Sequence, residues 1–168
     1  MSPKPFLIFS LDDRLYALPA EDVKHIIRSV TITPLPDGPD LMAGILNMGG
    51  RFIPVIDIRK QFNLPSKTLL LSDRFIIAEA CGYTIAFIAD TVESVVELSA
   101  KPLDASNAIF PSGMEPASLF PGMEKFITGV SHQHNRTVLI YDVNSLFPET
   151  EIRLAADALK SKQTQEPI

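Results

Sequence analysis

An internal repeat constrains this fold more than any other feature of the sequence. Residues 6–27 align without a gap on residues 75–96, at an offset of 69 residues, and residues 43–62 align on 128–147 at an offset of 85. Apolar strands resemble one another at any even offset, so chance is the alternative explanation. Two ungapped blocks in the same order favour a duplicated unit. The identical pairs include Phe6/Phe75, Ala17/Ala86, Ala20/Ala89, Val23/Val92, Gly44/Gly129, Arg51/Arg136, Asp57/Asp142 and Phe62/Phe147.

The repeated unit is rich in short apolar segments that are typical of β-strands. Two-residue turns separate them, and Gly, Asn and Asp favour such turns because they accept positive φ. Each half is predicted to run strand, hairpin, strand and short helix, then a connection and the same series again. The predicted turns are Asp12-Asp13, Gly49-Gly50, Cys81-Gly82 and His134-Asn135, and the predicted strands cover 6–11, 14–18, 45–48, 52–57, 75–80, 83–89, 127–131 and 138–141.

Helical patterns are few. Short helices are predicted over 20–27 and 58–62, and a C-terminal helix over 148–160 with Ile152, Ala155, Ala156 and Leu159 on one face. Residues 161–168 are predicted to be a disordered tail. The second half carries an insertion of 16 residues between Val96 and Thr128, in a proline-rich stretch.

These patterns predict a mainly β fold in one domain over residues 5–147. A single barrel of about 60 residues would be marginally stable. Two small barrels that pack against each other would bury a shared apolar surface. We therefore predict two pseudo-symmetric, closely packed β-barrels.

Composition excludes several classes of protein. With a net charge of −5 and a pI near 5.1, the chain lacks the basic character of a nucleic-acid binder. The one cysteine, Cys81, can form neither an internal disulfide nor a thiolate metal cluster. No apolar run is long enough for a transmembrane helix and no signal peptide is readable, so we expect a cytoplasmic protein.

Catalytic motifs are absent from the sequence, which contains no G-x-S-x-G, P-loop, H-E-x-x-H or C-x-x-C pattern. His132 and His134 could point the same way at a strand end, but a metal site would need a third ligand and His25 lies in the other half. Cys81 lies at a turn beside Gly82, and the sequence suggests no basic partner that would activate it as a nucleophile. We expect no enzymatic activity and no cofactor. By exclusion, we expect the protein to act through protein–protein recognition.

Asp57 and Asp142 occupy equivalent positions in the repeat, each between a strand and a short helix. One interpretation is a pair of helix N-caps, in which each carboxylate accepts backbone N–H groups. The alternative, a catalytic dyad from two barrel ends, would need both carboxylates in one site.

The segment 44–65, GILNMGGRFIPVIDIRKQFNLP, resembles the CheW family of chemotaxis coupling proteins. The family's usual run is glycine, two apolar residues, Asn-Leu-Arg-Gly, an apolar strand with proline, a Val-Asp-Leu strand end, basic residues and phenylalanine. The likeness extends to FLIFSL at Phe6, to YTIAFIADTVESVVEL and to ITGVSHQHNRTVLIYDVNSLF, and covers residues 5–147.

The resemblance implies two SH3-like five-stranded barrels with a groove between them. It also implies a cytoplasmic, non-enzymatic adaptor in a two-component system. Such an adaptor binds the regulatory domain of a CheA-type histidine kinase and the cytoplasmic tip of methyl-accepting receptors in membrane arrays. By motif position, the receptor groove comprises Val23, His25, Ile26, Asn47, Gly49, Ile88 and Ala89, and the kinase contacts comprise Leu103, Phe110 and Phe120.

Two positions depart from the family pattern. The family commonly has arginine where this chain has Gly49, and an acidic residue where this chain has His25. One interpretation is harmless drift of the groove, and another is a different receptor set or a non-flagellar array of the type IV pilus or surface-sensing kind. A small-ligand or metal-binding β module using His132, His134 and a turn carboxylate is the alternative outside the family.

Overall fold

The computed structural model describes residues 4–36, 38–98, 127–147 and 149–165. The helical elements in these residues are a 3-10 turn (Ala20–Asp22), α1 (Ile58–Gln61), α2 (Val143–Leu146) and α3 (Glu149–Gln165). The strands are β1 (Lys4–Leu11), β2 (Arg14–Pro19), β3 (Val23–Arg28), β4 (Met42–Met48), β5 (Arg51–Ile56), β6 (Arg74–Ala80), β7 (Tyr83–Ala89), β8 (Thr91–Leu98), β9 (Ile127–Gln133) and β10 (Arg136–Tyr141).

The strands form two five-stranded sheets, which confirms the predicted mainly β fold with two small barrels. Barrel 1 has the order β8-β1-β2-β10-β9, and barrel 2 has the order β3-β6-β7-β5-β4. Each barrel therefore takes strands from both halves of the repeat. The first hairpin and the last hairpin of the chain lie in barrel 1, and the middle of the chain forms barrel 2.

The strand pairing reproduces the sequence repeat residue by residue. Phe6 lies opposite Pro19 in barrel 1, and Phe75 lies opposite Ile88 in barrel 2, each shifted by 69 residues. A β-bulge interrupts the β1–β8 pairing and another interrupts the β3–β6 pairing at the equivalent place. The parallel pairs β10–β2 and β5–β7 also correspond. The two barrels are thus related by a pseudo-twofold exchange of equivalent strands.

All four predicted hairpin turns are confirmed. Both residues of each turn have positive φ, between 50° and 87°. This is the geometry of a two-residue turn whose twist matches the strands that it joins. Five of the eight residues are not glycine, and four of those five are Asp, His or Asn, which tolerate this conformation better than most residues. The fifth is Cys81.

The largest hydrophobic core lies between the barrels. Among the described residues, 23 buried side chains form the shared core, whereas the interiors of barrels 1 and 2 contain seven and six. Strand β1 contributes side chains both to the shared core and to the interior of barrel 1, because alternate residues point to opposite faces. Phe6 and Ile8 fill barrel 1, while Leu7 and Phe9 enter the shared core. The short barrels therefore depend on each other for most of their apolar burial.

The predicted helix over 20–27 is wrong. Only the 3-10 turn Ala20–Asp22 is helical, and the chain then continues as β3. Val23, Ile26 and Ile27 have helical spacing, but a β-bulge between Val23 and His25 inserts one extra residue into the strand. The bulge breaks the alternation by which a strand is recognised in sequence. The repeat counterpart of this segment is also a strand, β8.

The C-terminal helix packs as its pattern predicted, with Ile152, Ala155 and Leu159 buried in the shared core. The helix extends to Gln165, so the predicted tail boundary at residue 161 is wrong. Residues 161–165 contain no helix breaker, and the next one in the sequence is Pro167. In the described ranges, no helix is sufficiently long and apolar to cross a membrane.

We predict that Gly44→Ala destabilises the fold by about 2–3 kcal/mol, within the range for an overpacked site. A Cβ at this position would lie 2.5 Å from the carbonyl oxygen of Thr33. Thr33 forms the isolated bridge to Ile45 that joins the loop after β3 to β4. Urea unfolding measures the loss. The matched control is Gly49→Ala, which meets no atom within 4 Å and costs only the strain of its φ of +63°, about 1 kcal/mol. Equal losses in the two variants would contradict the steric argument.

Candidate protein-interaction site

The outer face of β3 presents the most exposed part of the predicted groove. Strand β3 lies at the edge of its sheet, and three consecutive residues, from Lys24 to Ile26, are exposed. The Ile26 side chain is 43% exposed although its partner in the pairing, Ile76, is completely buried. Val23 is half-buried and packs against the shared core. Ile26 lies opposite Ile76 of the shared core and so stands beside the junction of the two barrels, whereas His25 lies opposite Ile77 of the barrel 2 interior.

The β4–β5 turn supplies two more predicted positions. The Asn47 side-chain oxygen accepts a hydrogen bond from the Gly50 N–H at 2.9 Å, so Asn47 builds the turn. Gly49 is exposed with a φ of +63°, and a side chain there would meet open space. Arg51, just after the turn, donates to the Thr84 hydroxyl at 2.8 Å.

Strand register places this turn at the same end of barrel 2 as the beginning of β3. Thr84 lies opposite Glu79 on β6, and Val23 lies opposite the neighbouring Ala78. The β4–β5 turn contacts Thr84 through Arg51. Val23, His25, Asn47 and Gly49 thus share one end of the barrel.

Two of the predicted groove residues, Ala89 and Ile88, do not lie with the others. Ala89 is completely buried in the shared core, so its side chain cannot line a groove. Ile88 lies opposite Phe75, in the row that also contains Ile27, and packs against the interior of barrel 2. That row is three residues from the beginning of β3, which is about 10 Å along a strand. Sequence position alone could not separate neighbouring residues that point to opposite faces.

Ile88 instead lines a separate cleft at the other end of barrel 2. The cleft has a volume of about 190 Å³ and combines an apolar wall with several charges. It is lined by Ile32, Ala43, Asp57, Arg59, Ser66, Lys67, Leu69, Asp73, Ile88 and Asp90.

A charged network beside this cleft ties the two barrels together. Arg59, in α1 of barrel 2, donates to Asp12 in the β1–β2 turn of barrel 1 at 2.8 Å. The same guanidinium nitrogen donates to both Asp90 oxygens at 2.9 and 2.8 Å. Asp90 lies where the chain passes from β7 to β8, and it accepts the Asp12 N–H at 2.9 Å. Lys67 contacts Asp90 at 3.2 Å and also pairs with the buried Asp73.

The network controls the charge state of Asp90. Burial by itself raises the pKa of this carboxyl, but the Asp12 N–H and the Arg59 and Lys67 cations outweigh it. The net pKa of Asp90 is lower than its ordinary value. Asp90 is therefore a carboxylate at neutral pH, where its hydrogen bonds to cations are strongest. This cluster was not predicted from the sequence, although a lone aspartate that ends an apolar strand was a usable signal.

The pseudo-symmetric counterpart of this contact is uncharged. Arg59 corresponds to Asn144 and Asp12 corresponds to Cys81 in the repeat. The Asn144 side-chain oxygen accepts the Cys81 N–H at 2.7 Å. Burial raises the pKa of the Cys81 thiol, and the carboxylates of Glu149 and Asp142 raise it further. The thiolate is thus disfavoured, which argues against a nucleophilic role for Cys81.

The two repeat-related aspartates are N-caps. Asp57 accepts a hydrogen bond from the Lys60 N–H at 3.1 Å, and Asp142 accepts one from the Asn144 N–H at 3.1 Å. Each carboxylate therefore satisfies a backbone donor in the helix that it begins. This confirms the N-cap interpretation over the catalytic dyad.

The histidines form no metal centre in the part of the chain that the structure describes. No group of three or more His, Cys, Asp or Glu side chains there could hold a metal ion. His132 lies in β9, and His134 is a turn residue with a φ of +50°. The predicted kinase contacts Leu103, Phe110 and Phe120 lie outside the described residues.

Comparison with known proteins identifies similar chains over nearly the full length. The CheW-like domain model matches residues 5–151. The chain is 25% identical over 154 residues to Chemotaxis protein CheW of Treponema pallidum, covering 89% of this chain and 85% of that one. It is 25% identical over 140 residues to Chemotaxis protein CheW of Bacillus subtilis, covering 83% and 84%. The solved scaffolding protein TtCheW of Thermoanaerobacter tengcongensis superimposes with a TM-score of 0.67 and 29% identity, covering 89% of this chain and 95% of that one.

We predict that Asp90→Asn lowers the free energy of unfolding by about 2 kcal/mol at pH 7, the scale of a lost charged hydrogen bond. Because the folded-state pKa is depressed, this stabilisation is present above the unfolded pKa, about 3.9, and is lost as pH falls through the folded value. The difference between wild type and variant should therefore shrink below about pH 4. Urea unfolding across pH measures it. Asp13→Asn, in an exposed turn, is the control and should show neither effect. A loss at pH 7 that persists at low pH would contradict the electrostatic origin.

Proposed function

Because the chain belongs to the CheW-like domain family, we propose that it is a scaffold that couples methyl-accepting chemoreceptors to a CheA-type histidine kinase in chemotaxis signalling. In this proposal it performs no chemistry. It holds a receptor and a kinase in a defined relative position in the cytoplasm at the receptor arrays.

The observation that carries the receptor side of the proposal is the exposed apolar edge of β3. Ile26 is 43% exposed while most large apolar side chains of the barrels are buried. It stands beside half-buried Val23 at the junction between the barrels. An amphipathic helix could lay apolar residues at i, i+3 and i+4 against such a surface. The helical tip of a chemoreceptor offers that kind of partner.

The kinase side of the proposal rests on the family and on residues outside the described structure. We propose that Leu103, Phe110 and Phe120 contribute to the contact with the regulatory domain of the kinase. The family resemblance implies that this domain has the same two-barrel fold. Individual contacts of this kind can be weak and still hold in an array, because neighbouring contacts raise the effective concentration of each partner.

The rigid union of the two barrels suits this role. The shared apolar core and the Arg59 network join the barrels across their junction. A receptor bound at β3 and a kinase bound elsewhere would then keep a constant geometry.

The test of the proposal is reconstitution, in which this chain is combined with the receptor signalling domain and kinase from its own cell. Receptor-dependent stimulation of kinase autophosphorylation should require the chain, and the absence of that requirement would overturn the proposal.

We predict that Ile26→Ser weakens binding to the receptor tip at least tenfold, because it removes an exposed apolar anchor. Folding should change by less than about 0.5 kcal/mol, as for most surface substitutions. Titration calorimetry with a receptor fragment measures the affinity. The repeat offers a matched control, Val95→Ser, because Val95 is the counterpart of Ile26 on barrel 1 and is 57% exposed. If the two substitutions weaken binding equally, the receptor site is not centred on β3.

We predict that His25 and Gly49 select the receptor. The double variant His25→Glu with Gly49→Arg would place the family's usual charge types at these positions, and it should shift preference toward the tips that ordinary family members bind. Open space at Gly49 leaves room for the side chain, so the expected cost is the strain of positive φ, about 1 kcal/mol. Affinities for an ordinary tip and for the native receptor should be compared in the folded variant, with Gly49→Ala as the control for strain. Unchanged affinities for both tips would show that these positions do not select the receptor.

A further inference from the structure

The bulge at the start of β3 has a counterpart on β8, and the two bulge residues carry opposite charges. Lys24 is the residue of β3 that has no partner in the β3–β6 pairing, and Glu93 is the residue of β8 that has none in the β1–β8 pairing. Both are exposed, and they are separated by the repeat offset of 69 residues. Bulges re-aim side chains and are over-represented next to functional sites. The backbone therefore presents a cation on barrel 2 where it presents a carboxylate on barrel 1.

The carboxylate on barrel 1 has a cationic partner. Arg136, at the beginning of β10, donates to Glu93 at 3.2 Å. The repeat counterpart of Arg136 is Arg51, at the beginning of β5 on barrel 2. The two strand registers agree, because Arg51 lies opposite Met48 and Arg136 lies opposite the counterpart residue Gln133. The positions that form an ion pair on barrel 1 are thus occupied by two cations on barrel 2.

Within the described residues, neither Lys24 nor Arg51 forms an ion pair with a carboxylate. Arg51 donates instead to the neutral hydroxyl of Thr84 at 2.8 Å. Acidic residues do lie at neighbouring positions, namely Glu79, opposite Thr84, and Asp22, two residues before Lys24. Two like charges at adjoining positions repel each other, and a carboxylate that binds between them replaces that repulsion with attraction.

We infer that the receptor site of this chain recognises an acidic side chain, an Asp or Glu of the receptor tip, which binds between Lys24 and Arg51 in the place that Glu93 takes on barrel 1. This inference rests on the proposed function and adds the chemistry by which the site selects its partner. The Arg51 guanidinium offers a planar fork of donors that matches a carboxylate, and Lys24 adds a compact charge.

The spacing on β3 also constrains the receptor sequence. Ile26 lies two residues beyond Lys24, which is about 7 Å along a strand. One helical turn advances about 5.4 Å. A receptor helix that lies along β3 would therefore carry its acidic residue one turn from the apolar residue that contacts Ile26, at a spacing of three or four residues.

The first measurement uses the purified chain alone and tests whether the two positions meet. Lys24→Glu places a carboxyl where Glu93 stands on barrel 1, so that carboxyl should contact the Arg51 guanidinium of the same molecule. We expect Arg51→Gln, added to this variant, to raise the pKa of the new carboxyl in an NMR titration, because an adjacent opposite charge is lost. Arg136→Gln, the same change at the repeat counterpart, should leave it unaltered. A pKa that does not respond to Arg51→Gln would overturn the inference.

The second measurement is the affinity for the receptor signalling fragment from the same cell, by titration calorimetry. Lys24→Gln and Arg51→Gln should each weaken binding about fivefold, and Lys24→Glu at least tenfold, because its carboxyl occupies the site and repels the receptor's acidic group. Added salt should weaken binding of the wild type more steeply than binding of Arg51→Gln. The barrel 1 counterparts, Arg136→Gln and Glu93→Gln, are the controls and should leave the affinity unchanged.

The outcomes of the affinity measurement separate this inference from the function on which it rests. A wild-type chain that binds no receptor fragment overturns the proposed function, and this inference with it. A wild-type chain that binds the fragment with an affinity that Lys24→Gln and Arg51→Gln do not reduce, or reduce no more than the barrel 1 controls do, overturns the inference alone and leaves the scaffold function in place.

Discussion

The shared apolar core between the barrels is the interaction on which this structure depends. A five-stranded barrel of this size encloses only six or seven buried apolar side chains in its own interior among the described residues. At about 25 cal/mol per Å² of buried apolar surface, such an interior cannot offset the entropy of ordering its chain. The outer faces of β1, β2, β6 and β7 supply the missing burial by packing on each other and on α3. Strand exchange reinforces this union because neither barrel contains a complete half of the repeat.

The pseudo-symmetry of the backbone is broken by its polar contacts. One junction between the barrels is closed by Arg59 with Asp12 and Asp90, and the equivalent junction is closed by Asn144 with Cys81. The ionic junction responds to pH through Asp90, whereas the amide junction has no carboxylate in that contact. The edge strands differ in the same way, with exposed Lys24 and Arg28 on β3 and exposed Glu93 and Glu97 on β8. The duplicated fold thereby presents two chemically different surfaces.

The four hairpin turns, the two aspartate caps and the buried face of α3 were predictable because each depends on local chemistry. The β3 segment was mistaken for a helix because the bulge at Lys24 spaces Val23, Ile26 and Ile27 as a helix would. Among the groove positions, Ala89 was assigned by motif position and proved to be buried, since adjacent strand residues face opposite sides. The contact of Arg59 with Asp12 joins residues 47 apart, and no periodic pattern signals such a pair.

The sequence by itself determined eight of the ten strands described, the four hairpin turns and the equivalence of the two halves. The strands follow from the alternation of apolar residues and the turns follow from the backbone preferences of turn residues, and both of these act over a few residues. The equivalence of the halves follows from the repeat, which is visible in the sequence itself. Only the tertiary structure decided which strands share a barrel, which face of each strand enters the shared core and which charges meet at the junction. Equivalent strands of a repeat have the same sequence pattern. That pattern is therefore the same whether each half forms its own barrel or the two halves exchange strands. The exchange depends on where the chain crosses between barrels in three dimensions.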